Sequence, residues 1–410
     1  MRRILLVSLN YAPEPVGIGP YSQGLAEALT TRGSAVEVIA GMPYYPQWRI
    51  YPGFAARGWR TTREAGVRIT RCPHYVPANP GGARRIAHLA SFALSALGPA
   101  LKAALRPADQ RPQVVIAIAP ALLGVVTAWL AARLAGAKLW VHVQDFEVEA
   151  ALATGLMPET GIAARLARWL EARLLRLGDR VSTISPQMCT KLVAKGVPAD
   201  RVLEVRNWAD ARFAPDPAGA DALRGAWGLG TRKVALYSGN IARKQGIKIL
   251  IEAARLLRHR DDLAFVICGE GPNRAALEDL ARGLPNVQLH DLQPAEQMGA
   301  MLTMASLHLL PQIAGAADLV LPSKLTNMLA SARPVVATTE PGTGLYDEVD
   351  GCGMITPPGD AAALAGAIAA LADDPARSAA LGTAARQRAE ERWMKDAIID
   401  RVEAELARLG

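Results

Sequence analysis

Cysteine, histidine and aromatic residues are scarce in this chain, and each scarcity removes a class of function. The four cysteines, Cys72, Cys189, Cys268 and Cys352, are widely separated and form no C-x-x-C pair. Neither a disulfide framework nor a zinc site is indicated, and a reducing cytoplasm fits. Apart from His142 to Glu149, where D-x-E is too common to support a metal site, the six histidines stand in no compact spacing with cysteines or carboxylates, so no metal is expected. The opening MRRILLVSLN has two arginines but only a short apolar run before Asn10 and Pro13, too short for a signal-peptide core. No repeat with a period of about 20 to 50 residues is visible.

What is present is 410 residues, 50% apolar and 20% charged, enough for large cores in two or three domains. The net charge of +8 is uneven: residues 1–205 hold 24 Lys and Arg against 13 Asp and Glu, leaving 22 against 25 for the rest. Residues 49–106 alone carry ten basic residues (Arg49, Arg57, Arg60, Arg63, Arg68, Arg71, Arg84, Arg85, Lys102, Arg106) and one acid, Glu64. Such a segment attracts an anionic membrane face or a polyanion, unless it is merely an arginine-rich surface.

Aromatics are 5% of the chain, yet residues 42–59 hold three tyrosines, two tryptophans and a phenylalanine in a Pro-rich loop. That loop could stack on a sugar, sit at a membrane interface or fill core. The helical segment Ala83 to Leu105 follows, with cations near both ends and an apolar middle. It reads as an interfacial helix or as an ordinary one against a sheet. Residues 114–132 are uncharged and nearly long enough to span a bilayer. VVIAIAP nevertheless fits a buried parallel strand and LLGVVTAWLAARLAG a crossover helix.

Read in order, RRILLVSLN, AVEVIAG, VVIAIAP, KLWVHVQD, DRVSTIS and RVLEVRN alternate with helical patterns, and a Pro/Gly/Ala-rich run to Gly219 marks a boundary. A second βα series runs from KVALYSG through AFVICGEGP, VQLHDL and LHLLPQ to PVVATT, and the end, Pro375 to Gly410, reads as one helix carrying Trp393. The fold class is therefore α/β, doubly wound. Gly17-Ile18-Gly19 follows strand one, but the next strand ends in Ala40-Gly41 where a dinucleotide site would carry its ribose acid. An NAD enzyme is disfavoured.

Two stretches carry the chemistry. YSGNIARKQG, Tyr237 to Gly246, reads as a strand entering a glycine turn with the cations Arg243 and Lys244 behind it. Such a turn suits a diphosphate, Gly239 freeing backbone N–H groups as donors. VLPSKLTNMLASARPVVA, from Val320, places Lys324 and Asn327 on one helix face. In the first half, His142, Gln144, Asp145, Glu147 and Glu149 crowd the end of a strand, where open α/β sheets bind ligands.

Together with the R-N-x-x-D-x-x-F linker, I-C-G-E-G-P, the PYYP loop and QD-x-E, these motifs resemble retaining GT-B glycosyltransferases, and more narrowly bacterial exopolysaccharide enzymes of the colanic-acid type. The resemblance implies two Rossmann-like domains facing across a cleft. Residues 1–206 would take the acceptor side, 207–388 the nucleotide sugar, and 389–410 would be a helix crossing back to the first domain. It implies a UDP- or GDP-sugar as co-substrate, no cofactor and no metal, and hexosyl transfer. The donor would be held by Gly17, Gly19, Gly239, Asn240, Arg243, Lys244, Gly269, Glu270, Gly271, Pro272, His290, Leu292, Pro322, Ser323, Lys324 and Asn327. Arg243 and Lys244 would also stabilise the departing diphosphate, while Asp145, Glu147 and His142 would act on the acceptor hydroxyl. The family's glutamate pair falls on Leu319 and Asn327, and a histidine that some relatives carry falls on Ala117 or Ala119. The implied acceptor is a saccharide, soluble or lipid-linked, and the implied location is the cytoplasm, peripheral on the inner membrane face through residues 49–106, with no nucleic-acid partner. A sugar-nucleotide epimerase of the same architecture and a non-catalytic nucleotide-binding subunit remain open.

Overall fold

The computed structural model describes residues 1–15, 17–55, 57–78, 81–149, 160–208, 215–241, 245–271, 273–313, 322 and 324–409. The chain divides into two compact units, residues 1–206 with 398–410, and residues 207–397.

In the first unit the elements are β1 (Arg3–Ser8), α1 (Ile18–Thr31), β2 (Ala35–Gly41), β3 (Arg60–Glu64), β4 (Val67–Cys72), α2 (Gly82–Ala104), β5 (Val114–Ala119), α3 (Leu122–Ala135), β6 (Lys138–Val143), α4 (Ile162–Leu175), β7 (Arg180–Thr183), α5 (Pro186–Ala194) and β8 (Val202–Glu204). The sheet order is β3-β4-β2-β1-β5-β6-β7-β8. All pairings are parallel except β3 with β4. Central strands such as VVIAIA are buried at every position, as a sheet covered on both faces requires. The order reverses between β1 and β5, so the crevice at this switch point opens outside their carboxyl ends.

The β3–β4 hairpin is an element that the sequence reading lacked. Its turn is Ala65-Gly66, both at positive φ (46° and 82°), the geometry of a tight two-residue hairpin. An alanine in that position and the charged strand RTTRE hide it.

The hairpin also corrects the basic patch. Arg71 is 2% exposed; its guanidinium donates to the Gly41 and Ala12 carbonyls and lies over the Tyr11 and Phe54 rings. Arg106 pairs with Glu37 at 2.7 Å, Arg68 with the same carboxylate at 3.6 Å, and Arg85 with Glu147 at 3.5 Å. Four of the ten cations thus serve the interior or ion pairs. The aromatic loop is likewise partly core, since Tyr44 packs edge-on against Trp48, His74 and His88. Helix α2 is long and apolar enough to cross a membrane by length and composition. Its His88, Phe92, Ala96, Ala100 and Ala103 are buried, several of them in the core beside β1, β5 and α3.

The second unit contains α6 (Pro217–Ala226), β9 (Lys233–Ser238), α7 (Lys248–Leu256), β10 (Leu263–Cys268), α8 (Arg274–Ala281), β11 (Val287–His290), α9 (Met298–Met304), β12 (Leu307–Leu310), α10 (Lys324–Ala330), β13 (Val335–Thr338), α11 (Gly344–Val349), β14 (Gly353–Thr356), α12 (Ala361–Asp373) and α13 (Pro375–Trp393). Its parallel sheet runs β11-β10-β9-β12-β13-β14, with its switch point between β9 and β12. Helix α6 begins inside the Pro/Gly/Ala-rich run read as linker: Asp216 caps it by accepting the Gly219 N–H at 2.9 Å, and Pro217 opens its first turn. Helix α11 and strand β14 are further elements beyond those expected from the sequence.

The expected single terminal helix is two, α13 and α14 (Lys395–Leu409), broken at Met394, whose backbone is extended. Trp393 belongs to the second unit, 3% exposed in its core, with its indole N–H donated to Glu348. The stretch from Ile398 joins the first unit, where Arg32 holds Glu403 at 2.9 Å and also bonds Asp400, and Arg180 holds Glu405.

Candidate active site

Each unit presents a polar cluster at the carboxyl end of its sheet. In the second unit, the turns after β9 and β10 meet backbone to backbone. A Cβ on Gly269 would stand 1.9 Å from the Gly239 carbonyl oxygen, and one on Gly271 2.5 Å from that of Ile241. Only glycine permits either approach. The Gly239 N–H donates to the Cys268 carbonyl at 2.9 Å, that of Ile241 to Glu270 at 2.8 Å, and that of Asn273 to Ile241 at 3.1 Å. Of the donors expected at this turn, that of Gly239 itself is taken. Its own N–H extends the ladder, and its φ of 137° serves the close packing.

What faces this turn is Lys324, the first residue of α10. Its Nζ lies 4.0 Å from the Tyr237 ring centroid and 3.3 Å from where a Gly239 Cβ would be. Burial pushes the ammonium down to about 7. No carboxylate among the described residues offsets that cost, so the site favours an incoming anion. Tyr237 donates its hydroxyl to the Asn240 carbonyl at 2.7 Å, fixing the ring. Asn327, one turn along α10 from Lys324, is partly buried, as is Pro322.

Arg274, which the sequence reading missed, fastens the neighbouring loop. Its guanidinium donates to the carbonyls of Gly269 and His290 (2.8 Å for the latter), to Asp291 at 3.2 Å and to Glu278 at 2.7 Å. The i,i+4 spacing to Glu278 was the available signal. Glu270 is exposed. His290 stacks on Trp227, centroids 3.9 Å apart, and burial lowers its pKa. Leu292 is 60% exposed. Arg243, Lys244, Pro272 and Ser323 lie outside the described residues.

In the first unit the switch-point crevice gathers Asn10, Glu14 and the glycine loop after β1, the start of α3 after β5, and Asp145 and Glu147 after β6. Gly17 precedes α1 with φ 72°, and a Cβ on Gly19 would press 3.0 Å against that of Glu14. Glu147 accepts the Leu122 N–H at the start of α3, with Arg85 beside it, yet burial dominates and pushes its carboxyl up to about 7. Asp145 is partly buried.

His142 is placed differently from its expected part. It is 6% exposed, with Nδ1 2.8 Å from Ser182 Oγ and Nε2 2.9 Å from Gln144 Nε2. The Gln144 amide donates to Nε2, leaving the proton on Nδ1. Burial drops its pKa to about 4. Both ring nitrogens are occupied, so it orients Gln144 and is not poised to take a proton from an acceptor.

Glu14 is the second residue that the sequence reading missed. At 2% exposure its carboxylate accepts the N–H groups of Tyr44 (2.9 Å) and Tyr45 (3.0 Å) and the Asn10 amide (2.9 Å). It thereby ties the loop after β1 to the aromatic loop after β2. Among the described residues no group of three or more His, Cys, Asp or Glu is arranged to hold a metal.

Two doubly wound units, one carrying a buried cation beside a glycine turn and the other a carboxyl with raised pKa at its switch point, define a class that comparison identifies. A glycosyl transferase 4-like domain matches residues 16–208 and a glycosyl transferases group 1 domain residues 232–374. The chain belongs to the group 1 glycosyltransferases, enzymes of the GT-B fold. It is 43% identical over 351 residues to the putative colanic acid biosynthesis glycosyl transferase WcaI of Escherichia coli K12, covering 84% of each chain. To the alpha-D-kanosaminyltransferase of Streptomyces kanamyceticus it is 30% identical over 60% of this chain and 64% of that one. Among solved structures, sucrose-phosphate synthase from Thermosynechococcus elongatus superposes with a TM-score of 0.73 at 18% identity, over 100% of this chain and 99% of that one. Anabaena HepE in complex with UDP superposes at 0.70 and 16% identity over the whole of both chains; at such identities the likeness is one of fold.

Proposed function

We propose that the protein transfers a hexosyl unit, with retention of anomeric configuration and without a metal or other cofactor, from a UDP- or GDP-sugar to a saccharide acceptor carried on a polyprenyl diphosphate. The route is exopolysaccharide or related lipopolysaccharide synthesis, in keeping with the colanic-acid relative. The site of action is the cytoplasmic face of the inner membrane, with the protein peripheral on it through basic surface in residues 49–106.

The observation that carries the reading is Lys324. A desolvated ammonium with no carboxylate partner among the described residues, set against a glycine turn, suits the charge that builds on a departing diphosphate. Arg243 and Lys244 belong to the same group by motif. On the acceptor side Glu147 is the base: a carboxyl with a pKa near 7 is matched to accepting a hydroxyl proton at neutral pH. Asp145 orients that hydroxyl. Asn327 takes the ribose contact that a glutamate makes in relatives.

The test is product analysis with UDP- and GDP-sugars, with and without a polyprenyl-diphosphate saccharide. Acceptor-dependent release of the nucleoside diphosphate and an α-linked product from an α-linked donor are expected. Acceptor-independent conversion of the donor sugar would mean an epimerase, and donor binding without turnover a non-catalytic partner subunit.

A further inference from the structure

Helix α4 is inverted relative to an ordinary surface helix. Its buried positions are Ala164, Glu171, Leu174 and Leu175, and Glu171 is its one acid, 1% exposed and bound to Lys195 at 2.6 Å. The outward positions hold Ile162 (85% exposed), Leu166 (59%), Trp169 (58%) and Leu170 (39%). At about 100° per residue, Ile162, Leu166 and Trp169 share one stripe, and Arg165, Arg173 and Arg176, all exposed, fall on or beside it. A soluble helix turns polar residues of both signs outward. This one turns outward isoleucine, leucine, tryptophan and arginine, with no exposed acid.

We infer that the outward face of α4 is a lipid-contacting surface that lies in the headgroup region of an anionic bilayer. Apolar side chains and an indole reach below the phosphates while arginines on the same stripe meet them, as in helices that lie in a membrane interface. Helix α2, which packs on the same α3, likewise exposes Ile86 and Leu94. A second copy of the chain is disfavoured as the occupant. A two-fold contact sets like surface against like, and three arginines would face three. Nucleic acid would leave the isoleucine and leucines without apolar contact.

This deepens the membrane part of the reading above and moves its main contact. The segment 49–106 spends four of its ten cations inside the unit or in ion pairs, whereas among the described residues Arg165, Arg173 and Arg176 pair with no carboxylate.

The experiment is flotation of the full chain with vesicles of equimolar phosphatidylglycerol and phosphatidylcholine, against pure phosphatidylcholine, at low and high salt. The variants are Leu166→Gln/Trp169→Gln, Arg165→Glu/Arg173→Glu, and Arg84→Glu on α2 for comparison. UDP and GDP thermal shifts on each variant report that the fold is kept. Expected are binding to the anionic vesicles only, weakened by salt, and a loss of roughly tenfold or more in both α4 variants with a smaller loss in Arg84→Glu. Unchanged binding in the α4 variants would overturn the assignment while leaving a membrane enzyme that uses another surface. Absence of vesicle binding by the wild type would overturn both, with sugar transfer to a soluble acceptor still standing. A dimer in sedimentation velocity that Leu166→Gln/Trp169→Gln dissociates would overturn it in favour of a second copy.

Discussion

The Nζ of Lys324 sits 4.0 Å from the centre of the Tyr237 ring, over the strand that leads into Gly239. The ring face supplies a weak attraction to a cation, far less than bulk water would. An ammonium kept there awaits a stronger partner. Replacing it by methionine should therefore separate stability from binding. Lys324→Met is expected to raise the melting temperature of the ligand-free protein at pH 6, because a desolvated charge is removed, and to weaken nucleoside diphosphate binding by roughly tenfold or more. Differential scanning calorimetry and titration calorimetry read the two effects; a fall in both would mean that the lysine is structural.

The same group makes donor binding proton-linked. Its free-state pKa lies near 7, well below the ordinary lysine value of about 10.4, and a bound diphosphate raises it. Above pH 7 the free protein has lost the proton and the complex regains it. Affinity should then fall as pH rises from 7 to 9, with net proton uptake on binding at pH 8. Titrations in two buffers of different ionisation enthalpy measure that uptake, which Lys324→Met should abolish.

Glu147 predicts the opposite slope for turnover. Its carboxyl, held up to about 7 by burial, must lose its proton to act as a base, so kcat/KM for the acceptor should rise through pH 7 and level off above it. Glu147→Gln should cost about 10² to 10⁴ in kcat with little change in donor affinity. The variant should also be the more stable protein at pH 8: the folded-state pKa lies above the unfolded one, so the wild type loses stability as pH rises between them.

Gly271→Ala tests the loop pairing. Its Cβ would meet the Ile241 carbonyl oxygen at 2.5 Å, and that atom is backbone, which cannot swing aside. The turns after β9 and β10 must part, carrying Gly239 away from Lys324. Donor KM should rise at least about tenfold, since a 1 Å misplacement is felt strongly in such sites, while the acceptor KM holds.

Glu14→Ala leaves the buried N–H of Tyr44 and the half-buried one of Tyr45 without their acceptor, at a cost of about 1 to 3 kcal/mol for the first and less for the second. A lowered denaturant midpoint is expected, together with faster proteolysis within residues 42–59. An unchanged midpoint would show that the loop is held by its aromatic packing alone.

Most strands of both sheets were legible because a parallel sheet buried on two faces leaves apolar runs, as in VVIAIA and LAFVIC, which are buried at every position; β14 carries no such run. The β3–β4 hairpin was not legible, since RTTRE is polar and faces largely outward. Gly239, Gly269 and Gly271 stand out by motif, but sequence spacing does not reveal that a neighbouring turn needs the room at Gly269 and Gly271. Glu14 escaped notice because its importance rests on the distant backbone groups of Tyr44 and Tyr45, and Arg274 because it joins the carbonyls of two different turns, at Gly269 and His290. His142 drew attention as a histidine near a strand end, yet its side chain turns into the core beside Ser182. Arginine counts in residues 49–106 overstated the patch, because a count cannot tell a cation facing solvent from one under Tyr11.

The central claim is that the second unit binds a nucleoside diphosphate without a metal. A thermal-shift series with UDP, GDP, ADP and CMP, each with and without magnesium, tests it on the wild-type chain. At a hundred times its dissociation constant the true ligand stabilises by about 2.7 kcal/mol. The account predicts that shift for UDP or GDP in the absence of metal, and its reduction in Lys324→Met. No shift with any nucleotide, or one that requires magnesium, would contradict it.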